Sequence, residues 1–195
     1  SDLGSYGIFT VLGLVRGQSG FSTLDIGDFL VANDQASLGI SIEDGVSVTG
    51  GTFDGIAIGV DGAGRVSLQN SGSIVSRSDE TGGALILGRD VGSIYDSDFL
   101  DGSFAPVAGL TLDLLDSSNS GAIEGGAGQG ILVANGSITN FVNSGTVRGG
   151  TGSISSSGRG QVTNLSSGTI DGAVVLSGAN SVLTNSGLIR LSGPG

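Results

Sequence analysis

The stretch "NFVNSGTVRGG" (Asn140–Gly150) contains a phrase, Asn-Ser-Gly-Thr-Val, that recurs along the chain. Close variants are "NSGSI", "NSGAI", "SSGTI" and "NSGLI", which begin at Asn70, Asn119, Ser166 and Asn185. When the phrase is reduced to a glycine, a variable residue and a large apolar residue, its copies recur on average about every 23 residues. These copies begin at Gly51, Gly72, Gly102, Gly121, Gly145, Gly168 and Gly187. A period of this length indicates a stack of similar structural units.

Two further sequence patterns recur with the same period as this phrase. One is a glycine followed by alternating apolar residues, as in "GALIL" (Gly83–Leu87), "GILV" (Gly130–Val133) and "GAVV" (Gly172–Val175). The other is a strand-like stretch before the phrase, as in "SITNFV" (Ser137–Val142) and "QVTNL" (Gln161–Leu165). Each period therefore holds about three short strands separated by Gly, Asn, Asp and Ser corners. We predict an all-β chain folded as a right-handed parallel β-helix, a β-solenoid of about seven coils with about 23 residues each.

The repeat pattern also predicts the domain organisation. Residues 39–195 carry the β-helix repeats, whereas residues 1–38 fit the pattern less well and contain several large apolar side chains. We expect residues 1–38 to form irregular N-terminal coils or a partial cap over the first regular coil. A β-helix needs such a cover because its terminal strands otherwise leave peptide groups unpaired.

Stacking of the coils gives the recurrent asparagine a structural role. In a β-helix each residue lies above its equivalent one coil below, so Asn70, Asn119, Asn143 and Asn185 should form a column, with Ser166 as one substitute. Stacked asparagines pass side-chain amide hydrogen bonds from coil to coil. The glycine that follows two residues later is expected to supply a positive φ or a tight bend at the corner.

Composition excludes several classes of function. The 195 residues include 39 Gly but no Cys, His, Met or Trp, and the formal net charge is −11. Disulfides, thiolate metal sites and histidine catalysis are therefore excluded. The negative charge disfavours nucleic acid as a partner. The longest N-terminal apolar run, Tyr6–Val15, is too short to cross a bilayer, so we expect no membrane insertion by this segment.

The acidic residues offer the best candidates for catalysis or metal binding. They cluster in "DSDFLDG" (Asp96, Asp98, Asp101) and in "LDLLD" (Asp113, Asp116). A glycosidase needs two carboxylates about 5–10 Å apart, which spacing alone does not establish here.

Other features argue against chemistry at these acids. The nearest base for a polysaccharide lyase, Arg89, has no basic neighbour, so we expect no enzymatic activity and no cofactor. A weak calcium site at Asp96, Asp98 and Asp101 remains as an alternative, although no glutamate closes the loop as in an EF-hand.

The phrases "VNSGTVRGG", "LSSGTIDG" and "TNSGLI", together with "GILV" and "GAVV", resemble the degenerate repeats of autotransporter passenger domains and related large bacterial surface adhesins. The resemblance covers about residues 39–193 and is specific for architecture rather than activity. It implies export, an extracellular location and display at the bacterial cell surface. Because "LSGPG" (Leu191–Gly195) breaks off within the pattern, we expect the sequence to be part of a longer protein.

The expected function is therefore a non-catalytic, extracellular rod that displays recognition loops to a glycan or protein on a host or neighbouring cell. "SRSDETGG" (Ser76–Gly83) is too polar for a strand and is the best candidate for such a loop. Two alternatives stay open: a carbohydrate-active β-helix enzyme, either a polysaccharide lyase or a hydrolase, and a self-assembling subunit of a surface fibre. We also expect self-association through the helix ends, where strand edges are bare.

Overall fold

The computed structural model describes residues 26–50, 57–76, 82–88 and 111–191. In these residues every regular element is a β-strand, and every strand pair is parallel. The chain is a β-solenoid of stacked coils, which confirms the predicted all-β fold with parallel strands. Asn135-Gly136, the one Asn-Gly dipeptide of the chain and a sequence typical of hairpin turns, lies instead between two strands that belong to different faces of the coil.

Each coil contributes strands to three faces. The first face contains part of β1 (Ile26–Ile42), part of β3 (Ile58–Asn70), β6 (Leu112–Asn119), β9 (Ile138–Asn143), β12 (Gly160–Asn164) and β15 (Val182–Asn185). The second face contains β2 (Ser47–Thr49), β4 (Ser73–Val75), β7 (Ala122–Glu124), β10 (Thr146–Arg148), β13 (Thr169–Asp171) and β16 (Leu188–Arg190). The third face contains the beginnings of β1 and β3, followed by β5 (Gly83–Leu87), β8 (Gln129–Val133), β11 (Gly152–Ser156) and β14 (Val174–Leu176).

The described part of the chain contains fewer coils than the whole sequence was predicted to form. The second face holds six strands, which corresponds to about five turns in the described part of the chain. Val48 occupies the position that the sequence pattern gave to Phe53, and Ile74 pairs directly with Ile123. β4 and β7 are therefore neighbours in the stack. Two of the copies counted in the sequence, Gly51–Phe53 and Gly102–Phe104, lie outside the described residues, and the count of about five turns refers to the described part alone.

The coils differ in length although their register is constant. Equivalent asparagines are 24, 21 and 21 residues apart along the chain from Asn119 onwards. Asn70 and Asn119 are 49 residues apart and nevertheless lie in neighbouring coils. The described strands of this long coil pair in register with those of the next coil.

The predicted boundaries are only partly covered by the structure. Strand β1 begins at Ile26 and pairs with β3, so coil-to-coil pairing starts before the expected boundary at residue 38. The irregular coils or partial cap expected over residues 1–38 stay a prediction, because residues 1–25 lie outside the described residues. The expected loop begins where β4 ends at Val75 and finishes where β5 begins at Gly83, and residues 77–81 are also outside the described part.

The core consists of columns of apolar side chains that run along the solenoid axis. On the second face the central residue of each strand points inward, and every member of this column is β-branched: Val48, Ile74, Ile123, Val147, Ile170 and Ile189. Such residues pack well on a pleated surface. The first five are fully buried, whereas Ile189 in the last described coil keeps 36% of its surface exposed. Each coil therefore covers the column of the coil before it.

This column predicts unequal effects of one substitution at two positions. Ile123→Ala removes a fully buried side chain and should lower the free energy of unfolding by about 2–5 kcal/mol. Ile189→Ala, in the same column but partly exposed, should cost about 1 kcal/mol or less. Urea unfolding followed by circular dichroism measures both, and equal losses would contradict the stacked column.

Candidate functional site

Five asparagines form a hydrogen-bonded column, here called the asparagine ladder, where the first face meets the second. The amide nitrogen of each asparagine donates to the side-chain oxygen of the next at 2.7–2.8 Å. The first four side chains are almost completely buried, and the last is exposed. The members of the ladder in chain order are Asn70, Asn119, Asn143, Asn164 and Asn185. The ladder therefore links five successive coils through side chains as well as through strands.

The structure places Asn164, and not Ser166, in the fourth rung. Asn164 pairs in register with Asn143 on one side and Asn185 on the other. Ser166 lies exposed in the following corner, so the prediction that it substitutes for asparagine is wrong. The corner "NLSSG" is two residues longer than "NSG", and alignment on its glycine shifted the expected position. The preceding strand held the correct signal, since Val162 and Asn164 repeat the spacing of Phe141 and Asn143.

Each ladder amide also binds backbone carbonyls at the corner. The Asn143 nitrogen donates to the carbonyl of Gly145 at 3.1 Å, in its own coil, and to that of Thr169 at 3.3 Å, in the next coil. The Asn119 nitrogen contacts the carbonyl of Thr146 at 3.0 Å in the same way. The Gly145 carbonyl also accepts a backbone hydrogen bond from Thr169 at 2.8 Å, so the asparagine supplies this carbonyl with a second donor. The asparagine side chain thus donates hydrogen bonds to backbone carbonyls of two successive coils.

The asparagine ladder has a direction. Every side-chain nitrogen donates towards the C-terminal end of the stack, so the first rung has a free acceptor at its other side. The buried side-chain oxygen of Asn70 has no hydrogen-bond partner, because the residue beneath it in register is Ile42. At the opposite end, the Asn185 nitrogen donates to the Gly187 carbonyl at 3.1 Å from an exposed position.

The corner glycines are required by close packing rather than by a positive φ. A Cβ added to Gly121 would overlap the carbonyl oxygen of Gly72, and one added to Gly145 would overlap that of Gly121. These three residues are not among the glycines with positive φ, but each lies at a bend of the chain, so the tight bend is the part of the expectation that is confirmed. The close approach follows from the hydrogen bond that residue 122 or 146 donates to the glycine below.

Charged residues alternate along the outer edge of the second face. In the last four coils the third strand residue is Glu124, Arg148, Asp171 and Arg190, and consecutive members are paired in register. Arg190 and Asp171 form an ion pair at 2.9 Å, with side-chain exposures of 57% and 4%. Opposite charges at adjacent positions favour this register over a slipped one. We call these four residues the charge column.

Two of the candidate acids have contacts between coils. The Asp113 carboxylate accepts a hydrogen bond from the Ser137 backbone nitrogen at 2.7 Å. The Asp116 carboxylate accepts one from the Asn140 amide at 3.0 Å. Both interactions connect a coil with the next one, which is a structural use of these acids.

The remaining candidates lie outside the described residues. These are Asp96, Asp98 and Asp101 of the calcium hypothesis, together with Arg89. Within the described ranges no three acidic side chains are grouped so that they could hold a metal ion. Binding of calcium at Asp96, Asp98 and Asp101 therefore stays a prediction.

The last described strands, β14, β15 and β16, form a surface that we call the open edge. Side chains whose equivalents are buried or half-buried in earlier coils are exposed here, namely Val175, Val182, Leu183, Leu188 and Ile189. An apolar strand edge of this kind is a characteristic surface for pairing with another strand.

No protein family model, curated protein or solved structure matches this chain. Within the described residues there is no helix with the length and apolar character needed to span a bilayer. The β-solenoid is therefore established by the structure itself, and what the protein does must be inferred from its surfaces.

The ladder predicts a large effect of Asn143→Ala. The substitution leaves the buried Asn164 side-chain oxygen without its donor and removes the side-chain contact to the Thr169 carbonyl, so the free energy of unfolding should fall by about 1–3 kcal/mol. Asn185→Ala is the matched control, because the last rung is exposed to water and should cost clearly less. Thermal and urea unfolding measure both, and equal losses would argue against the ladder as a source of stability.

A change of one atom tests the direction of the hydrogen bonds. In Asn143→Asp the new carboxyl faces the side-chain oxygen of Asn164 and two backbone carbonyls, all of them acceptors. Burial and these acceptors should raise its pKa in the folded protein above that in the unfolded chain. Its protonated form is then the stable one, so stability is retained below about pH 4 and lost as the pH rises.

The measurement is the difference in unfolding free energy between Asn143→Asp and the parent protein at pH 4 and pH 7. We expect the deficit to be larger at pH 7. A deficit that does not change with pH would show that position 143 does not need a donor.

Proposed function

We propose that this chain is a non-catalytic rod segment of a bacterial surface protein, such as an adhesin or an autotransporter passenger, and that it acts outside the cell. The observation that supports this most directly is the uninterrupted set of columns along the axis. The asparagine ladder, the β-branched column and the charge column all connect coils to one another. Side chains used in this way build a stiff support.

The dimensions agree with a support that holds other surfaces away from a membrane. Coils in a parallel stack are separated by about 4.8 Å, so the five or so described turns extend about 24 Å. The stack needs no disulfide, since the chain has no cysteine. Its stability comes from coil-to-coil contacts, and length can be added by further coils of the same kind.

Recognition would occur where the sequence departs from the repeat. The longest departure is the segment between β5 and β6, and another is the polar connection between β4 and β5. Connections on a rigid scaffold are the usual positions of binding residues. The ligand would be a glycan or a protein on a host or neighbouring cell.

Surface display can be tested on bacteria that express the protein with its natural flanking sequences. Antibodies against residues 111–191 should label intact cells, and external protease should remove the label. Labelling that requires permeabilised cells would contradict the proposal. Adhesion of these cells to host cells, compared with a strain lacking the protein, then tests the role in attachment.

The absence of catalysis is tested separately. Incubation with a panel of acidic and neutral polysaccharides should release no products, because Asp113 and Asp116 already bridge coils. Release of reducing ends or unsaturated sugars that disappears in Asp113→Asn or Asp98→Asn would favour the carbohydrate-active alternative. An Asp113→Asn variant that loses both activity and folding would be uninformative alone, so the melting temperature of each variant is measured beside its activity.

A further inference from the structure

We propose that the outer surface of the third face around Ile86 is a docking surface for the segment of this chain between β5 and β6, residues 89–110. The segment would lie against the coils through its apolar side chains. Docking of this kind involves contacts within one chain, so it does not depend on the proposed function and is tested without a ligand. It would nevertheless serve that function, because a recognition loop that is already ordered loses less entropy on binding.

The observation behind the proposal is the complete burial of a side chain that points away from the core. Side chains alternate between the two sides of a strand, and Leu85 and Leu87, on either side of Ile86, both belong to the core. Ile86 therefore points outward, and it is not a member of the core cluster. It is nevertheless fully buried.

The strands beside Ile86 do not account for this burial. Its register partners are Gly59, which has no side chain, and Leu132, which is only half-buried. The isoleucine also lies over Gly83, where an added Cβ would come within 2.6 Å of its Cδ1. These neighbours cover its sides. Further along the same column Leu132 and Ser155 keep part of their surface exposed, so the strands alone leave this column in contact with water.

Residues 89–110 begin and end at one corner close to Ile86. The backbone nitrogen of Leu112, at the start of β6, donates to the carbonyl of Asn135 at 2.9 Å. A Cβ added to Gly88 would lie 3.1 Å from the same carbonyl oxygen. Two residues separate Ile86 from Gly88, which is about 7 Å along an extended chain. Both ends of the segment are thus held beside the surface that needs a cover.

The composition of the segment fits an apolar surface. The equivalent connections of later coils, residues 134–137 and 157–159, contain no large apolar residue, so the corner itself does not require one. Residues 89–110 contain several, whose exposure to water would be unfavourable. They are Ile94, Tyr95, Phe99, Leu100, Phe104 and Val107.

The other segments near this face are less suitable. Residues 77–81 contain no apolar side chain. Residues 51–56 are few and lead into Ala57, which donates to the Gly83 carbonyl at the opposite end of β5. Residues 1–25 precede β1, and β3 lies between β1 and β5.

Single cysteines can report on the cover, because the chain has none of its own. In the intact protein Ile86→Cys should react with a maleimide at least about tenfold more slowly than Ser155→Cys, which lies in the same outward column. Replacing residues 91–108 by a short glycine–serine linker should bring the two rates together. Circular dichroism and melting curves establish that each variant is folded.

Substitutions within the segment give a second test that keeps its length. Replacing three large apolar side chains by serine should raise the reactivity of Ile86→Cys about threefold or more. The matched control replaces three acidic side chains of the same segment and should leave the rate unchanged, because it removes no apolar surface. The two variants are Phe99→Ser, Leu100→Ser, Phe104→Ser and, as the control, Asp96→Ser, Asp98→Ser, Asp101→Ser.

Cross-linking identifies the occupant directly. A photoreactive benzoylphenylalanine at position 132, beside Ile86 in register, should attach to the segment. Cleavage after arginine and glutamate places the segment in the peptide 90–124, whereas β5 is in 81–89 and residues 51–56 are in 44–65.

The proposal is overturned if Ile86→Cys reacts in the intact protein as fast as Ser155→Cys, or if the cross-link reaches only the peptide 81–89. Either result would mean that no segment covers the third face. Protection that survives both the shortened segment and the triple apolar variant would assign the surface to a different occupant. A cross-link to residues 1–43 or 44–65 in place of 90–124 would do the same and would name that occupant.

Discussion

The hydrogen bond between consecutive asparagine amides is the interaction on which this solenoid depends. An amide is suited to the position because it has an acceptor and a donor on opposite sides, so one residue type repeats without limit. The Asn143 side chain uses both functions, with Asn119 below and Asn164 above. Its nitrogen also reaches carbonyls of two coils, which a serine or threonine hydroxyl with one proton could not do.

The ladder explains why the corner sequence is so restricted. A Cβ on Gly121 or Gly145 would overlap the carbonyl of the corner glycine in the coil before, and one on Gly72 would overlap carbonyls in the preceding corner, so none of the three has room for a side chain. The β-branched residue after each of them then enters the core in register with its neighbours. In the phrase, asparagine therefore provides the hydrogen bonds, glycine allows the close approach of neighbouring coils, and isoleucine packs in the core.

The sequence was sufficient to predict the all-β fold, the parallel stack and the alignment of Asn70, Asn119, Asn143 and Asn185. It was not sufficient for the number of coils or for the fourth rung. The reason is that register in a solenoid is set in space, whereas a pattern search counts residues along the chain. Two additional residues in the corner after Asn164 moved the glycine without moving the asparagine. The open edge and the alternating charges became visible only when the strands were paired.

The coil that separates Asn70 from Asn119 has a consequence for how such a rod can vary. Its 49 residues close a loop more than twice as long as the 21-residue coil between Asn143 and Asn164. Because the entropy of loop closure grows only with the logarithm of length, the extra residues disfavour closure by about 0.7 kcal/mol. That amount is smaller than the contribution expected from one well-made buried hydrogen bond, about 1 kcal/mol. A solenoid with this corner can therefore accept long and variable insertions between rungs while its axis continues unbroken.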